Sequence, residues 1–89
     1  MERYHVSAIR DESGKVIERS TNCWIECGRS STGLCGWWGK IESEAIRQPG
    51  EYSIELKDGE ERSIIVSTVS VRSPGPTRIE FTGSGDPNL

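Results

Sequence analysis

The feature that most constrains the fold is a series of short runs in which apolar and polar residues alternate. Successive side chains of a β-strand point to opposite faces, so alternation is typical of a strand with one buried face. The clearest run is Glu51–Lys57, in which Tyr52, Ile54 and Leu56 are predicted to face inward. Asp58-Gly59 follows it, and this dipeptide between two alternating runs is among the strongest short signals for a β-hairpin.

Turn residues rich in glycine and proline separate the other runs. The predicted strands are Arg3–Ile9, Val16–Thr21, Asn22–Gly28, Leu34–Glu44, Glu51–Lys57, Arg62–Arg72 and Thr77–Thr82. The only helical element predicted is a single turn at Glu42–Arg47. Six or seven short strands without an amphipathic helix indicate an all-β fold, either an antiparallel sandwich or a small barrel. At this length we favour a single barrel of five to six strands.

The strand that follows the Asp58-Gly59 turn changes phase in its middle. Ile64 and Val66 share one phase of the alternation, whereas Val69 belongs to the other. A β-bulge near Ser67-Thr68 would reconcile the two phases. Burial of the strand on both faces around Ile65 is the alternative.

The length of 89 residues is enough for one domain with a modest core. The pattern predicts one all-β domain over residues 1–82. The Gly/Pro/Asp-rich residues 83–89 are predicted to form a flexible C-terminal tail.

The charge and the apolar content exclude several classes of function. Fourteen acidic and eleven basic side chains give a net charge of −3, which disfavours nucleic acid as a partner. The chain has no polybasic patch for anionic lipid and no apolar run near the ~20 residues that span a bilayer, so we expect no membrane association. The chain has three cysteines, an odd number that cannot all pair within one chain, and its N-terminal segment has no apolar signal core. We therefore expect a soluble, cytoplasmic protein.

Two adjacent tryptophans between glycines, Gly36-Trp37-Trp38-Gly39, are the best indication of a binding surface. Trp37 is predicted to face inward and Trp38 outward with Lys40. By the same alternation Trp24 shares a phase with Glu26 and is predicted to be exposed. Exposed tryptophans anchor protein contacts or stack on bases. In the alternative interpretation, the N-terminal hairpin or the tail covers these rings.

A glycine-flanked polar loop, Gly28–Gly33, adds Arg29 to this set because such loops can hold an anion. The loop has no lysine of the P-loop kind and no following helix, so it does not predict a nucleotide site. The predicted binding surface therefore consists of Trp24, Trp38, Lys40 and Arg29.

Metal binding and catalysis are not predicted. Cys23, Cys27, Cys35 and His5 have suitable ligand atoms, but Cys23 and Cys27 lie four steps apart on a predicted strand. Those steps span roughly 13 Å, whereas two sulfurs that share a zinc ion lie within about 4 Å. The cysteines are interpreted as small apolar residues, and the single histidine lacks a nucleophile motif. The carboxylate pairs, such as Glu42 with Glu44, are interpreted as charges on an outer face.

We therefore expect a non-enzymatic binding module or structural subunit without a cofactor. It would engage a protein partner, or a second copy as a homodimer, through an exposed aromatic or strand-edge surface. The alternative is a small barrel that binds single-stranded nucleic acid or oligosaccharide.

Overall fold

The computed structural model is a closed barrel of six antiparallel strands, as the alternation predicted. It describes residues 1–29, 35–71, 75 and 77–85. The strands are β1 (Glu2–Arg10), β2 (Val16–Arg29), β3 (Cys35–Glu42), β4 (Gly50–Leu56), β5 (Glu61–Ser70) and β6 (Arg78–Gly83). No helix occurs in these described ranges, so none of them contains a helix long and apolar enough to cross a membrane.

Two three-stranded meanders make up the barrel. The strand order is β1-β2-β3-β6-β5-β4, and β4 closes the ring by pairing with β1. The connection from β3 to β4, residues 43–49, therefore crosses one end of the barrel. Ile46 of this connection is fully buried and closes that end.

The predicted helical turn at Glu42–Arg47 is wrong, because this connection is built from bends. The backbone N–H of Ser43 donates to the carbonyl oxygen of Thr77 at 3.3 Å. The hydroxyl of Ser43 donates to Glu18 Oε1 and accepts from the backbone N–H of Ala45. These contacts hold an irregular segment across the barrel end.

The extent of β2 also differs from the prediction. Val16–Thr21 and Asn22–Gly28 were predicted as two strands, but they form one strand of 14 residues. Ser20 has a φ of 56°, a left-handed conformation that is uncommon for residues other than glycine. The pairing with β1 keeps its register on both sides of Ser20, so the strand bends there without ending.

In β5 the predicted bulge is confirmed. The register with β6 shifts between Val66 and Thr68. Ile65 is 46% exposed, so the alternative of burial on both faces is wrong. The bulge lets Ile64 and Val66, and after them Val69, all point toward the interior.

Aromatic rings packed against glycines form the contact between β3 and β6 inside the barrel. Gly39 pairs with Phe81, and a Cβ atom at position 39 would lie 2.9 Å from Phe81 Cζ. A Cβ atom at position 83 would lie 1.8 Å from Trp37 Cε2. Each strand therefore supplies one ring and one glycine, and each ring covers the glycine of the other strand.

The two rings also contact each other and the chain that follows β6. Trp37 and Phe81 pack edge-to-face, with centroids 5.9 Å apart and an interplanar angle of 76°. The Trp37 indole N–H donates to the carbonyl oxygen of Gly85 at 3.0 Å. A buried indole thus has a partner for its one polar group.

The barrel extends slightly beyond the predicted domain boundary at residue 82. Gly83 belongs to β6, and the backbone N–H of Ser84 donates to the carbonyl oxygen of Ser63. Residues 83–85 therefore contact the barrel. Residues 86–89 of the predicted tail lie outside the described residues.

A buried arginine lies at the start of β5. Arg62 donates to Asp58 Oδ2 at 2.8 Å and to Asp58 Oδ1 at 3.3 Å, across the predicted hairpin turn. The pKa of Asp58 lies below its ordinary value, mainly because of the hydrogen bonds from Arg62. The same pair raises the pKa of Arg62.

Replacing Gly83 with alanine should lower the free energy of unfolding by about 2 kcal/mol or more, since the new methyl group overlaps the Trp37 ring. Gly36→Ala is the matched control, because a Cβ atom there meets nothing within 4 Å. We expect the control to change stability by less than about 0.5 kcal/mol. Urea denaturation followed by far-UV circular dichroism measures both, and equal stability of the two variants would contradict the packing described.

Candidate interaction surface

A transverse row of side chains crosses four strands on the outside of the barrel. Trp24 of β2 lies opposite Arg3 of β1 on one side and opposite Lys40 of β3 on the other. Lys40 in turn lies opposite Glu80 of β6. Directly opposed residues of antiparallel strands have Cβ atoms about 4.5–5.5 Å apart, so these side chains are immediate neighbours.

The second exposed aromatic residue, Trp38, lies in the next row. Trp38 is 40% exposed, whereas Trp37 is 2% exposed, which confirms the predicted phases of the tryptophan pair. The Trp38 ring lies over Gly28, where an added Cβ atom would be 2.7 Å from Cη2. Gly28 therefore supplies a flat platform that holds the ring against the sheet.

A shallow groove of about 250 Å³ runs beside Trp24. Its lining residues come from both meanders and are Met1, Trp24, Lys40, Ile41, Glu42 and Arg78. Trp24 and Lys40 are half-buried in its wall, whereas Arg78 is exposed. The arrangement offers an indole surface with two cations beside it. We call Trp24, Trp38, Lys40 and Arg78 the aromatic face.

The two cations of the aromatic face differ from Arg10 in their ion pairing. Within the described part of the chain, neither Lys40 nor Arg78 forms an ion pair, although each lies opposite a glutamate in the sheet register. Arg10, on the other side of the barrel, is engaged instead. Its guanidinium lies 3.4 Å from Glu55 Oε1 and 3.9 Å from Glu61 Oε2.

The opposite side of the barrel, formed by β4 and β5, is acidic. A groove of about 440 Å³ there includes the carboxylates of Asp11, Glu12, Glu51 and Glu61 in its lining. The far side is thus acidic, whereas on the tryptophan side Lys40 and Arg78 lie among glutamates that oppose them in the register. This difference influences which partners approach each side.

Three of the four predicted surface residues come together. Trp24 and Lys40 are opposed in the register, and Trp38 lies two residues from Lys40 on the same face. The fourth, Arg29, is the last residue of β2 and its backbone pairs with Cys35. The Arg29 side chain and most of the loop after it lie outside the described residues.

Sequence reasoning missed three contributors to this face. Arg3 is in the outward phase of β1, so the alternation contained the signal for it. Gly28 serves as a platform for Trp38, a role that only the β2–β3 register reveals. Arg78 joins through the pairing of β3 with β6, which are far apart in sequence.

The cysteines occupy different environments. Cys23 is fully buried, and burial raises the pKa of its thiol to about 12. This confirms its interpretation as a small apolar residue. Cys27 is exposed, so the same interpretation is wrong for it. The Cys35 side chain lies outside the described part.

Cys27 is exposed because β2 continues beyond the end of β1. The β1–β2 pairing ends at Glu2 with Ile25, whereas the β2–β3 pairing continues to Arg29 with Cys35. Cys27 is thus in the inward phase at a level where the barrel has already opened. His5 lies exposed on β1, and the described residues contain no group of three or more His, Cys, Asp or Glu side chains arranged to hold a metal ion.

No protein-family model, curated protein or solved structure matched this chain when each was compared with it.

Thiol labelling should separate the two cysteines of β2. At neutral pH iodoacetamide should modify Cys27 in the folded protein, whereas Cys23 should react only after denaturation. Peptide mass mapping assigns the modified residue, and Cys27→Ser should abolish its labelling while Cys23 stays protected. Rapid labelling of Cys23 in the folded state would contradict its burial.

Proposed function

We propose that this protein is a non-enzymatic binding module, soluble and cytoplasmic and without a cofactor, that engages a protein partner through the aromatic face. The observation that carries the proposal is the exposed Trp38 ring beside the half-buried Trp24 and Lys40. Tryptophan is enriched among residues that dominate binding energy, and a neighbouring cation adds directional contacts.

Rigidity of the aromatic face supports this proposal. Trp38 rests on Gly28, and Trp24 is packed into a groove wall, so neither ring has to be ordered on binding. Immobilising a flexible side chain costs about 0.5–1.5 kcal/mol of binding free energy. Two rings already held on β-strands reduce that cost.

A second copy of the chain is one form of partner. The strands of the closed barrel are staggered, so each is paired on both sides over only part of its length. The aromatic face carries the exposed Trp38 ring, and it is the surface we expect a homodimer to use.

The alternative function, binding of single-stranded nucleic acid or oligosaccharide, is favoured by the groove in which Trp24 stands beside Lys40 and Arg78. Both ligands stack on indole rings. Glu42 lines the same groove and Glu80 lies opposite Lys40, so a phosphate backbone would meet carboxylates. Together with the net charge of −3, this favours the protein partner.

Trp38→Ala should reduce partner capture from cell extract at least tenfold, because it removes an anchoring ring without disturbing the core. The matched control is Ile65→Ala, which removes an exposed apolar side chain from the outer face of β5. Quantitative mass spectrometry of the captured proteins compares the two variants with wild type, and native mass spectrometry reports any homodimer. Circular dichroism checks that both variants fold.

Equal loss of partners in the Trp38→Ala and Ile65→Ala variants, or full retention in both, would contradict the proposal. Quenching of tryptophan fluorescence by a thymidine oligonucleotide at low salt, abolished in the Trp38→Ala variant, would favour the alternative function.

A further inference from the structure

The seam between β1 and β4 leaves a strand edge open at one end of the barrel. The pairing of β1 with β4 extends from Arg10 to Val6 and stops where β4 ends at Leu56. Glu2–His5 is still paired with β2 on its other side. Within the described residues, this stretch of β1 has no strand on the side away from β2.

An open edge presents backbone groups that can pair with a further strand. In an antiparallel ladder, alternate residues direct both N–H and C=O toward the same side. Two of the four residues in Glu2–His5 therefore have backbone groups available at this edge. Addition of an extended segment to such an edge is a common mode of peptide recognition.

A groove of about 410 Å³ lies at this end of β1, over its contact with β2. It is lined by the inward-phase side chains Tyr4, Ile25 and Cys27, together with Met1, Glu2 and Glu26. The groove lies where β2 continues past β1, and Tyr4 is the inward ring on the strand that has the open edge. An apolar side chain of an added strand would lie beside Tyr4.

The outward side chains at this edge are basic residues. Arg3 and His5 are both exposed on the outer face of β1. The acidic Glu2 faces the other side, where its carboxylate accepts a hydrogen bond from the Tyr4 hydroxyl at 2.9 Å. An added strand therefore meets the basic side chains Arg3 and His5 on its outer face, and Glu2 and Tyr4 on its inner face.

This charge pattern disfavours a second copy of the chain as the added strand. Residues opposed in an antiparallel pair lie on the same face of the sheet, so a symmetric pairing of two β1 edges must oppose residues of the same phase. Arg3 would then lie opposite Arg3 or opposite His5 of the other copy. The first arrangement opposes like charges, which is destabilising, and the second opposes two basic side chains that do not complement each other.

We propose that Glu2–His5 accepts an extended segment of a partner protein that has acidic residues at alternate positions. The acidic side chains would lie beside Arg3 and His5, and an intervening apolar residue would lie beside Tyr4. Arg3 is also the direct neighbour of Trp24, so the added strand would continue the aromatic face by one strand. This inference rests on the proposed function and names the chemical class of its partner.

A peptide titration of the full chain tests the proposal. The probe is a synthetic ten-residue peptide in which glutamate alternates with valine and threonine, added to ¹⁵N-labelled protein. We expect saturable shifts of the amide resonances of residues 2–6 and slower amide exchange at two of residues 2–5. Arg3→Glu should weaken binding about fivefold or more, because it opposes like charges across the new ladder.

The matched control peptide has lysine in place of glutamate, and it should bind at least fivefold more weakly. Absence of binding by the acidic peptide, equal binding by the lysine peptide, or shifts confined to residues other than 2–6 would each overturn the proposal. Slow exchange of the same amides that depends on protein concentration without peptide would assign the edge to a second copy and also overturn it.

Trp38→Ala should bind the acidic peptide as wild type does, because the ring lies two strands away from the edge. Peptide binding therefore tests this inference, and partner capture tests the proposed function, independently of each other. If the Trp38→Ala variant loses partner capture but the acidic peptide does not bind at the edge, only this inference is contradicted. If the peptide binds at the edge but the Trp38→Ala variant retains partner capture, only the proposed function is contradicted.

Discussion

The barrel depends on close packing of aromatic rings over glycines between β3 and β6. These strands come from different meanders, and their contact is one of the two seams that close the sheet. Phe81 covers Gly39, and Trp37 covers Gly83. Position 39 must be glycine for a second reason as well. A Cβ atom there would lie 1.9 Å from the carbonyl oxygen of Trp24 in the neighbouring strand β2. The seam therefore fixes both the register of the sheet and the approach of β2 to β3.

The exposed tryptophan is a consequence of this seam. Because Trp37 is buried in the interior, the alternation of β3 directs Trp38 outward, where its ring packs against Gly28. Gly39, which follows the pair, thus serves the core, whereas the second ring becomes a surface feature. The unequal strand lengths add the other surface feature, because β4 ends at Leu56 and leaves Glu2–His5 of β1 without a partner strand on that side among the described residues. An aromatic face and an open strand edge are adjacent for this reason.

The sequence predicted those parts of the fold that depend on local alternation. The strand at residues 51–57, the Asp58-Gly59 turn and the bulge near Ser67 are all set by neighbours along the chain. The connection after Glu42 was misjudged as a helical turn, because burial of Ile46 across the barrel end overrides local preference. Arg78 was missed since its place beside Lys40 depends on the pairing of distant strands. Trp24 and Lys40 were found because outward phases can be read directly from the chain.

The most direct test of this account is the position of the glycine α-proton resonances in the folded protein. An aromatic ring that covers a glycine shifts those protons strongly upfield through its ring current. The packing described predicts such shifts for Gly39 and Gly83, with nuclear Overhauser contacts to Phe81 and Trp37 respectively. The exposed Gly36 should show ordinary strand values. Ordinary values at Gly39 and Gly83 as well, without contacts to either ring, would contradict the seam on which the account rests.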